Sequence, residues 1–185
     1  MEFDSDDLPV FGASYVSAMH SAYMDGRFDL SEVVHNEFTQ GYAPPEEGET
    51  TIHRFDSRVT ANVRMFDRDP IRVEARADCT VSVAWAGQQG NVRTFNAQMV
   101  QLDVKGVDNL GAARLRVSPT LPSKGVTTIE KLPNGLYKIE SYFDIYTELS
   151  VDSGAYWFPS ETGAVRMMLV EHYDAPALQT GVLVH

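Results

Sequence analysis

The stretch that decides the fold is Leu136-Tyr-Lys-Ile-Glu-Ser-Tyr-Phe-Asp-Ile-Tyr-Thr-Glu-Leu-Ser-Val-Asp-Ser-Gly154, followed by Tyr156-Trp-Phe-Pro-Ser160 and Val165-Arg-Met-Met-Leu169. Apolar and polar side chains alternate through it, and Ser153-Gly154 breaks the alternation as a turn. A period of two residues is typical of strands with one buried and one solvent-facing side. The stretch therefore predicts strand, turn, strand, turn and strand in an all-β protein.

The same periodicity continues upstream. From Ile71 to Trp85 apolar or small residues alternate with mainly polar ones, which predicts a long strand or two strands joined by a bulge. Asn134-Gly135 and Asp25-Gly26 predict hairpin turns, because type I′ turns need positive φ at both central positions. These hairpins join 127–132 to 136–149 and 15–24 to 27–38, although short helices within 15–23 and 30–38 remain an alternative by pattern.

About eight to eleven short strands predict a single antiparallel β-sandwich, a jelly-roll-like double sheet. The prediction is one domain over residues 1–185. It carries an acidic, extended N-terminal arm at residues 1–12 and a C-terminal strand or arm at residues 177–185.

Composition excludes several classes of function. The net charge of −11 argues against nucleic acid and anionic membranes as partners. No apolar run approaches the ~18 residues that membrane insertion as a helix requires. Cys79 is the single cysteine and falls on the buried face of its predicted strand, so we expect a core residue rather than a nucleophile. Met1 is followed by Glu-Phe-Asp-Ser-Asp-Asp, which has no feature of a signal peptide.

An ordered series of segments resembles an uncharacterised β-rich module of secreted bacterial proteins, which often end in PEP-CTERM-type or dockerin-like sorting tails. The resemblance implies an extracellular or cell-surface module with no assigned reaction. Without it, the absence of a signal peptide favours a cytoplasmic protein. The segments are Phe38-Thr-Gln, Pro44-Pro45, Thr51-Ile-His-Arg-Phe-Asp-Ser57, Gly90-Asn-Val-Arg-Thr-Phe-Asn-Ala-Gln-Met-Val-Gln-Leu-Asp103, Arg116-Val-Ser-Pro-Thr-Leu-Pro-Ser-Lys-Gly125 and Ile139-Glu-Ser-Tyr-Phe-Asp-Ile-Tyr-Thr-Glu-Leu-Ser150.

One predicted strand carries an acid–tyrosine face. Tyr142, Asp144, Tyr146 and Glu148 alternate along it, and Trp157 follows in the next segment. Tyrosine offers apolar area together with a hydroxyl group, which suits a glycan or a protein partner. An ordinary solvated face is the alternative. Carboxylates four residues apart on a strand lie ~13 Å apart, whereas a glycosidase pair needs ~5–9.5 Å, so the strand alone does not predict catalysis.

No cofactor is expected. The five histidines lack the close spacing of metal ligands, which favours hydrogen-bonded structural roles. A calcium site is an open alternative with Asp67, Asp69, Asp103 and Asp108 as loop ligands, but no EF-hand pattern supports it. A metal-dependent hydrolase would require acids from separate strands to converge.

The apolar C-terminal residues Val182, Leu183 and Val184 are β-prone, and a free strand invites pairing with an open sheet edge. Self-docking and exchange with a second copy are the two alternatives. The sequence therefore predicts a structural or adhesive module, not an enzyme, that assembles as a homo-oligomer or filament. A carbohydrate-binding module using the acid–tyrosine face is the alternative function.

Overall fold

A computed structural model describes residues 1–105 and 110–171, and every regular element in this part of the chain is a β-strand. The prediction of an all-β protein is confirmed. The strands are β1 (Glu2–Phe3), β2 (Ser14–Ser17), β3 (Ser21–Tyr23), β4 (Phe28–Asn36), β5 (Thr50–Met65), β6 (Ile71–Gln89), β7 (Val92–Lys105), β8 (Arg114–Val117), β9 (Ser123–Lys131), β10 (Tyr137–Ile145), β11 (Thr147–Ser150), β12 (Phe158–Pro159) and β13 (Val165–Val170).

Eight of these strands form a closed antiparallel barrel in the order β10, β13, β2, β4, β5, β6, β7 and β9, after which β9 pairs with β10 again. Closure depends on β9, which pairs with β10 over Lys124–Lys131 and with β7 over Ser123–Glu130. The predicted double sheet is thereby corrected. A barrel and a sandwich show the same alternation of inward and outward residues, so periodicity could not distinguish them.

Bulges bend the long strands enough to close the ring. The register shifts at Thr80/Val81 and Trp85/Gly87 between β6 and β7, and again between β4 and β5 near Glu32, a residue with positive φ. An extra residue in one strand increases local twist and curvature. Strand β6 itself runs unbroken over 19 residues, so the long strand predicted for Ile71 to Trp85 is confirmed.

Inward-facing side chains fill the barrel. Phe95, Ile129 and Ile139 are fully buried, and Tyr15 packs edge-on against Phe143 with ring centroids 5.7 Å apart. Burial of one such side chain contributes about 1.5–3 kcal/mol. The alternating residues of β6 from Ala75 to Val83 face this core, and Cys79 among them is 3 % exposed, as its pattern predicted.

The N-terminal residues cover one end of the barrel. Leu8 and Val10 are buried, Leu8 forms a β-bridge with Tyr42, and Asp6 is paired with Arg93 at 2.7 Å. Strand β1 also adds to the edge of β10. The residues predicted as an acidic N-terminal arm thus lie against the barrel: the consecutive Leu8, Pro9 and Val10 are buried, whereas Glu2 and Asp4 are exposed.

Strands β8, β11 and β12 form a flap that continues from the second half of β7. Leu149 and Leu115 of the flap pack against Tyr23 and Leu30 near the far end of β5. The flap thus closes the end of the barrel opposite the N-terminal residues.

Both predicted hairpins are present, with Gly26 and Gly135 at positive φ. The first hairpin departs from the register of a two-residue turn at Asp25-Gly26: that register would place His35 opposite Val16, but His35 lies opposite Tyr15. The offset arises between Ser17 and Ser21. These two residues are four positions apart, whereas their partners on β4, Val33 and Leu30, are three positions apart. The predicted C-terminal strand at 177–185 lies outside the described residues. None of the described segments forms a helix of the length and apolarity needed to cross a membrane.

Candidate ligand-binding groove

The predicted acid–tyrosine face is divided between two surfaces. Tyr142 and Asp144 point outward from β10, which ends at Ile145. At Tyr146 the chain leaves the barrel: its backbone N–H donates to Ser123 Oγ and its carbonyl accepts from the N–H of Ser118. The flap then begins, so the expectation of one continuous strand face is corrected.

On the barrel, Asp144 is held by an arginine directly opposite it on β13. Arg166 donates from Nε to Oδ1 at 2.8 Å and from Nη2 to Oδ2 at 2.6 Å, and its guanidinium lies 4.2 Å from the centroid of the Tyr142 ring. The hydrogen bonds from Arg166 lower the pKa of Asp144, and its pairing with Asp144 raises the pKa of Arg166. Asp144 is therefore a fixed anion whose two oxygens both have a donor.

On the flap, Glu148 and Trp157 belong to a second cluster of one acid, one arginine and one aromatic ring. Arg116 donates to Glu148 Oε2 from Nε at 3.0 Å and from Nη2 at 2.7 Å, and its guanidinium lies 3.9 Å from the Trp157 ring. Register explains the pairing, because Glu148 faces Arg116 across β11 and β8. Trp157 is half-buried beneath this arginine, on the flap rather than on the barrel wall.

Tyr142 and Asp144 belong to a larger groove on the outside of the barrel, with an open volume of about 410 Å³. It lies across β6, β7, β9 and β10. Two cross-strand rows of outward side chains line it. One row is Ser82, Gln98, Lys124 and Asp144, and the other is Ala84, Asn96, Val126 and Tyr142.

Gly125 lies in the barrel wall beneath the groove and faces the interior. A Cβ atom there would lie 2.3 Å from the Tyr142 carbonyl oxygen and 2.7 Å from Cδ1 of Phe143. The missing side chain lets the inward-facing Phe143 ring cross beneath β9. Ala97, opposite Gly125 on β7, faces the interior as well, so the groove itself is shaped by the outward residues of the two rows.

The polar side chains of the groove have unused hydrogen-bonding capacity. Ser82, Asn96, Gln98 and Lys124 make no side-chain hydrogen bond or ion pair to any described residue. Together they offer one hydroxyl group, two amides and an ammonium group over the three adjacent strands β6, β7 and β9. Such a set can bind a ligand that both donates and accepts hydrogen bonds.

A second group of reactive residue types lies inside the barrel. His35 Nε2 is 2.6 Å from Ser57 Oγ and 3.6 Å from Cys79 Sγ. Burial lowers the pKa of His35 to about 4 and raises the pKa of the Cys79 thiol to about 12. An imidazole with so low a pKa is a weak base, and an un-ionised thiol is a poor nucleophile. The adjoining apolar cavity of about 30 Å³ is far smaller than a typical ligand pocket of about 300–1,000 Å³.

A calcium site was the open alternative, and in the described part of the chain no group of three or more His, Cys, Asp or Glu residues is arranged to hold a metal ion. Asp103 lies within β7 rather than in a loop, which corrects that part of the expectation. Asp108 and the proposed assembly residues Val182, Leu183 and Val184 lie outside the described residues, so assembly through them stays a prediction.

Comparison with known protein families, with curated proteins and with solved structures finds no match for this chain. The groove is therefore the feature from which a function can be inferred. Tyr142 and Asp144, two of its lining residues, belong to the acid–tyrosine face predicted from the sequence. Asn96, Gln98 and Lys124 were not predicted as site residues, because periodicity does not indicate which strands become neighbours.

Proposed function

We propose that this protein is a non-catalytic carbohydrate-binding module that holds its ligand in the outer groove of the barrel. The observation that carries the proposal is the row of uncommitted polar side chains beside Tyr142. A sugar ring presents hydroxyl groups that donate and accept, together with an apolar C–H face. Amides and hydroxyl groups match the former, and an aromatic ring matches the latter.

The shape of the groove favours an extended ligand. It is open, wide and built on four adjacent strands, and strands hold side chains more rigidly than loops do. A ligand lying along it would cross successive rows of side chains. A carbohydrate chain fits this description, and such a ligand agrees with the extracellular or cell-surface setting implied by the resemblance described above.

The number and the ionisation of the carboxylates in the groove favour binding over hydrolysis. Hydrolysis of a glycosidic bond uses two carboxyl groups about 5–9.5 Å apart, one of them protonated. Among the described residues that line the groove, Asp144 is the single carboxylate. Its pairing with Arg166 lowers its pKa and keeps it ionised, which is the wrong direction for a general acid.

Binding in the groove is also favoured over edge-to-edge assembly. Closure of the ring gives each barrel strand two neighbours, and paired edges do not recruit a further strand. The segment 160–163 lies along β3, where the N–H of Glu161 donates to the Ala22 carbonyl. A homo-oligomer or filament built by Val182, Leu183 and Val184 stays a separate prediction, which light scattering can test.

The test is a glycan array followed by titration calorimetry of the strongest ligand. We expect Tyr142→Ala to weaken binding about tenfold, which corresponds to about 1.4 kcal/mol. Asn96→Ala should weaken it as well. Tyr146→Ala is the matched control, because Tyr146 lies at the start of the flap and does not line the groove.

Circular dichroism of each variant shows whether the barrel is retained. The proposal is refuted if the array detects no glycan. It is also refuted if folded Tyr142→Ala and Asn96→Ala proteins bind as tightly as the native chain.

A further inference from the structure

The charges of the groove select one class of sugar. We infer that the groove prefers carbohydrates bearing a carboxylate, such as hexuronic or sialic acids, and that Lys124 is the residue that recognises the carboxylate. This inference rests on the proposed function and adds the ligand class to it. Its basis is the way the three charged side chains at the groove are paired.

Lys124 has a carboxylate directly opposite it but no ion pair with it. Asp144 faces Lys124 across β9 and β10, and it also faces Arg166 across β10 and β13. Arg166 takes both oxygens of Asp144 in a fork-like pair at 2.6 and 2.8 Å. A planar guanidinium forms a bidentate pair with a carboxylate, with one hydrogen bond to each oxygen. It therefore competes better for Asp144 than the single ammonium group of Lys124 does.

The result is a surplus positive charge within a strongly acidic protein. Once Asp144 and Arg166 are counted as a neutral pair, Lys124 gives the groove one unbalanced positive charge, although the whole chain carries −11. The nearest acid on the outer face of β10 beyond Tyr142 is Glu140, which is paired with Lys138 at 3.1 Å. At physiological salt, charges more than about 8 Å away are largely screened, so the local surplus decides the preference.

The neighbours of Lys124 suit a sugar acid better than a bare anion. Gln98 lies opposite Lys124 on β7, and Ser82 lies opposite Gln98 on β6. A carboxylate held by the ammonium group would place the adjoining ring hydroxyls against this amide and this hydroxyl group. Tyr142, two residues from Asp144 in the next row, would then border the ring itself.

The experiment compares acidic sugars with neutral counterparts of similar shape. The probes are matched pairs: tri-galacturonic acid with its methyl ester, a glucuronic acid oligomer with the glucose oligomer, and a sialylated glycan with the methyl ester of its sialic acid. We expect the acidic member of the best-bound pair to bind about tenfold more tightly than its neutral partner at physiological salt.

Lys124→Gln should abolish this difference, because the acidic sugar then loses the ammonium group that contacts its carboxylate. Lys131→Gln is the control, because it makes the same change in net charge at an exposed lysine of β9 that lies outside the groove and forms no ion pair with a described residue. Equal binding of acidic and neutral members overturns the inference but leaves the proposed function standing. A difference that survives in Lys124→Gln overturns it too, and failure of every sugar to bind refutes the proposed function itself.

Discussion

Substitution of Gly125 by alanine tests the central contact of the barrel wall. The new Cβ would lie 2.3 Å from the Tyr142 carbonyl oxygen and 2.7 Å from the Phe143 ring. Contacts below 3.0 Å force atoms to move, and here the nearest atom belongs to a backbone that is hydrogen-bonded within the sheet. Relief therefore requires β9 and β10 to separate locally.

The cost follows from overpacking. Extra methyl groups in packed interiors cost about 1–3 kcal/mol, and the rigid obstacle places this site near about 3 kcal/mol. Alanine also lowers the conformational entropy of the unfolded chain, which raises the unfolding free energy by about 0.4–1 kcal/mol. A net loss of about 2–3 kcal/mol corresponds to a fall in Tm of about 4–12 °C for a protein of this length.

Thermal unfolding followed by circular dichroism measures this change. Gly41→Ala is the control: a Cβ at Gly41 would first meet the Cβ of Asp7 at 3.1 Å, a contact that a shift of a few tenths of an ångström relieves. We expect a fall in Tm of less than about 3 °C for the control. If Gly125→Ala unfolds at the native temperature or above it, the contact does not constrain β9 and β10 as described.

Three further predictions concern the interior. Leu8→Ala should lower the unfolding free energy by about 2–4 kcal/mol in a urea titration, because it empties a buried position at the covered end of the barrel; a change below about 0.5 kcal/mol would contradict that packing. Cys79 should react with a thiol reagent only as fast as the native protein opens, since burial raises the pKa of its thiol to about 12; immediate labelling would refute this. The unfolding free energy should fall by about 3 kcal/mol between pH 6.5 and 4, because His35 has a pKa of about 4 when folded and 6.5 when unfolded, so the unfolded chain binds the extra proton. His35→Gln should flatten that pH dependence, and an unchanged slope would show that other groups cause it.

Local features were predictable from the sequence, and connections between distant strands were not. The turns at Gly26 and Gly135 follow from glycine chemistry, and burial along β6 follows from its alternation. The pairing of β7 with β9 closes the barrel, but neither strand's sequence indicates it. Each strand would show the same two-residue alternation if the two strands belonged to a sandwich instead. The barrel was therefore not predictable by the reasoning that correctly predicted its strands.

The candidate site was predictable only in part, for the same reason. Tyr142 and Asp144 stand out because they alternate on one strand, but Tyr146 was grouped with them because alternation continues through a corner of the chain. What divides them is the hydrogen bond from Tyr146 to Ser123, a residue 23 positions earlier. Asn96, Gln98 and Lys124 become neighbours of Tyr142 only through the order of strands in the ring.

The alternation of side chains along the barrel wall has an evolutionary consequence. Phe143 and Ile129 point inward and maintain packing, whereas the adjacent Tyr142 and Thr128 point outward. Replacement of outward residues such as Asn96 or Gln98 leaves the inward set untouched. Selection can thus rewrite the recognition surface of this protein one side chain at a time while the interior continues to specify the same architecture.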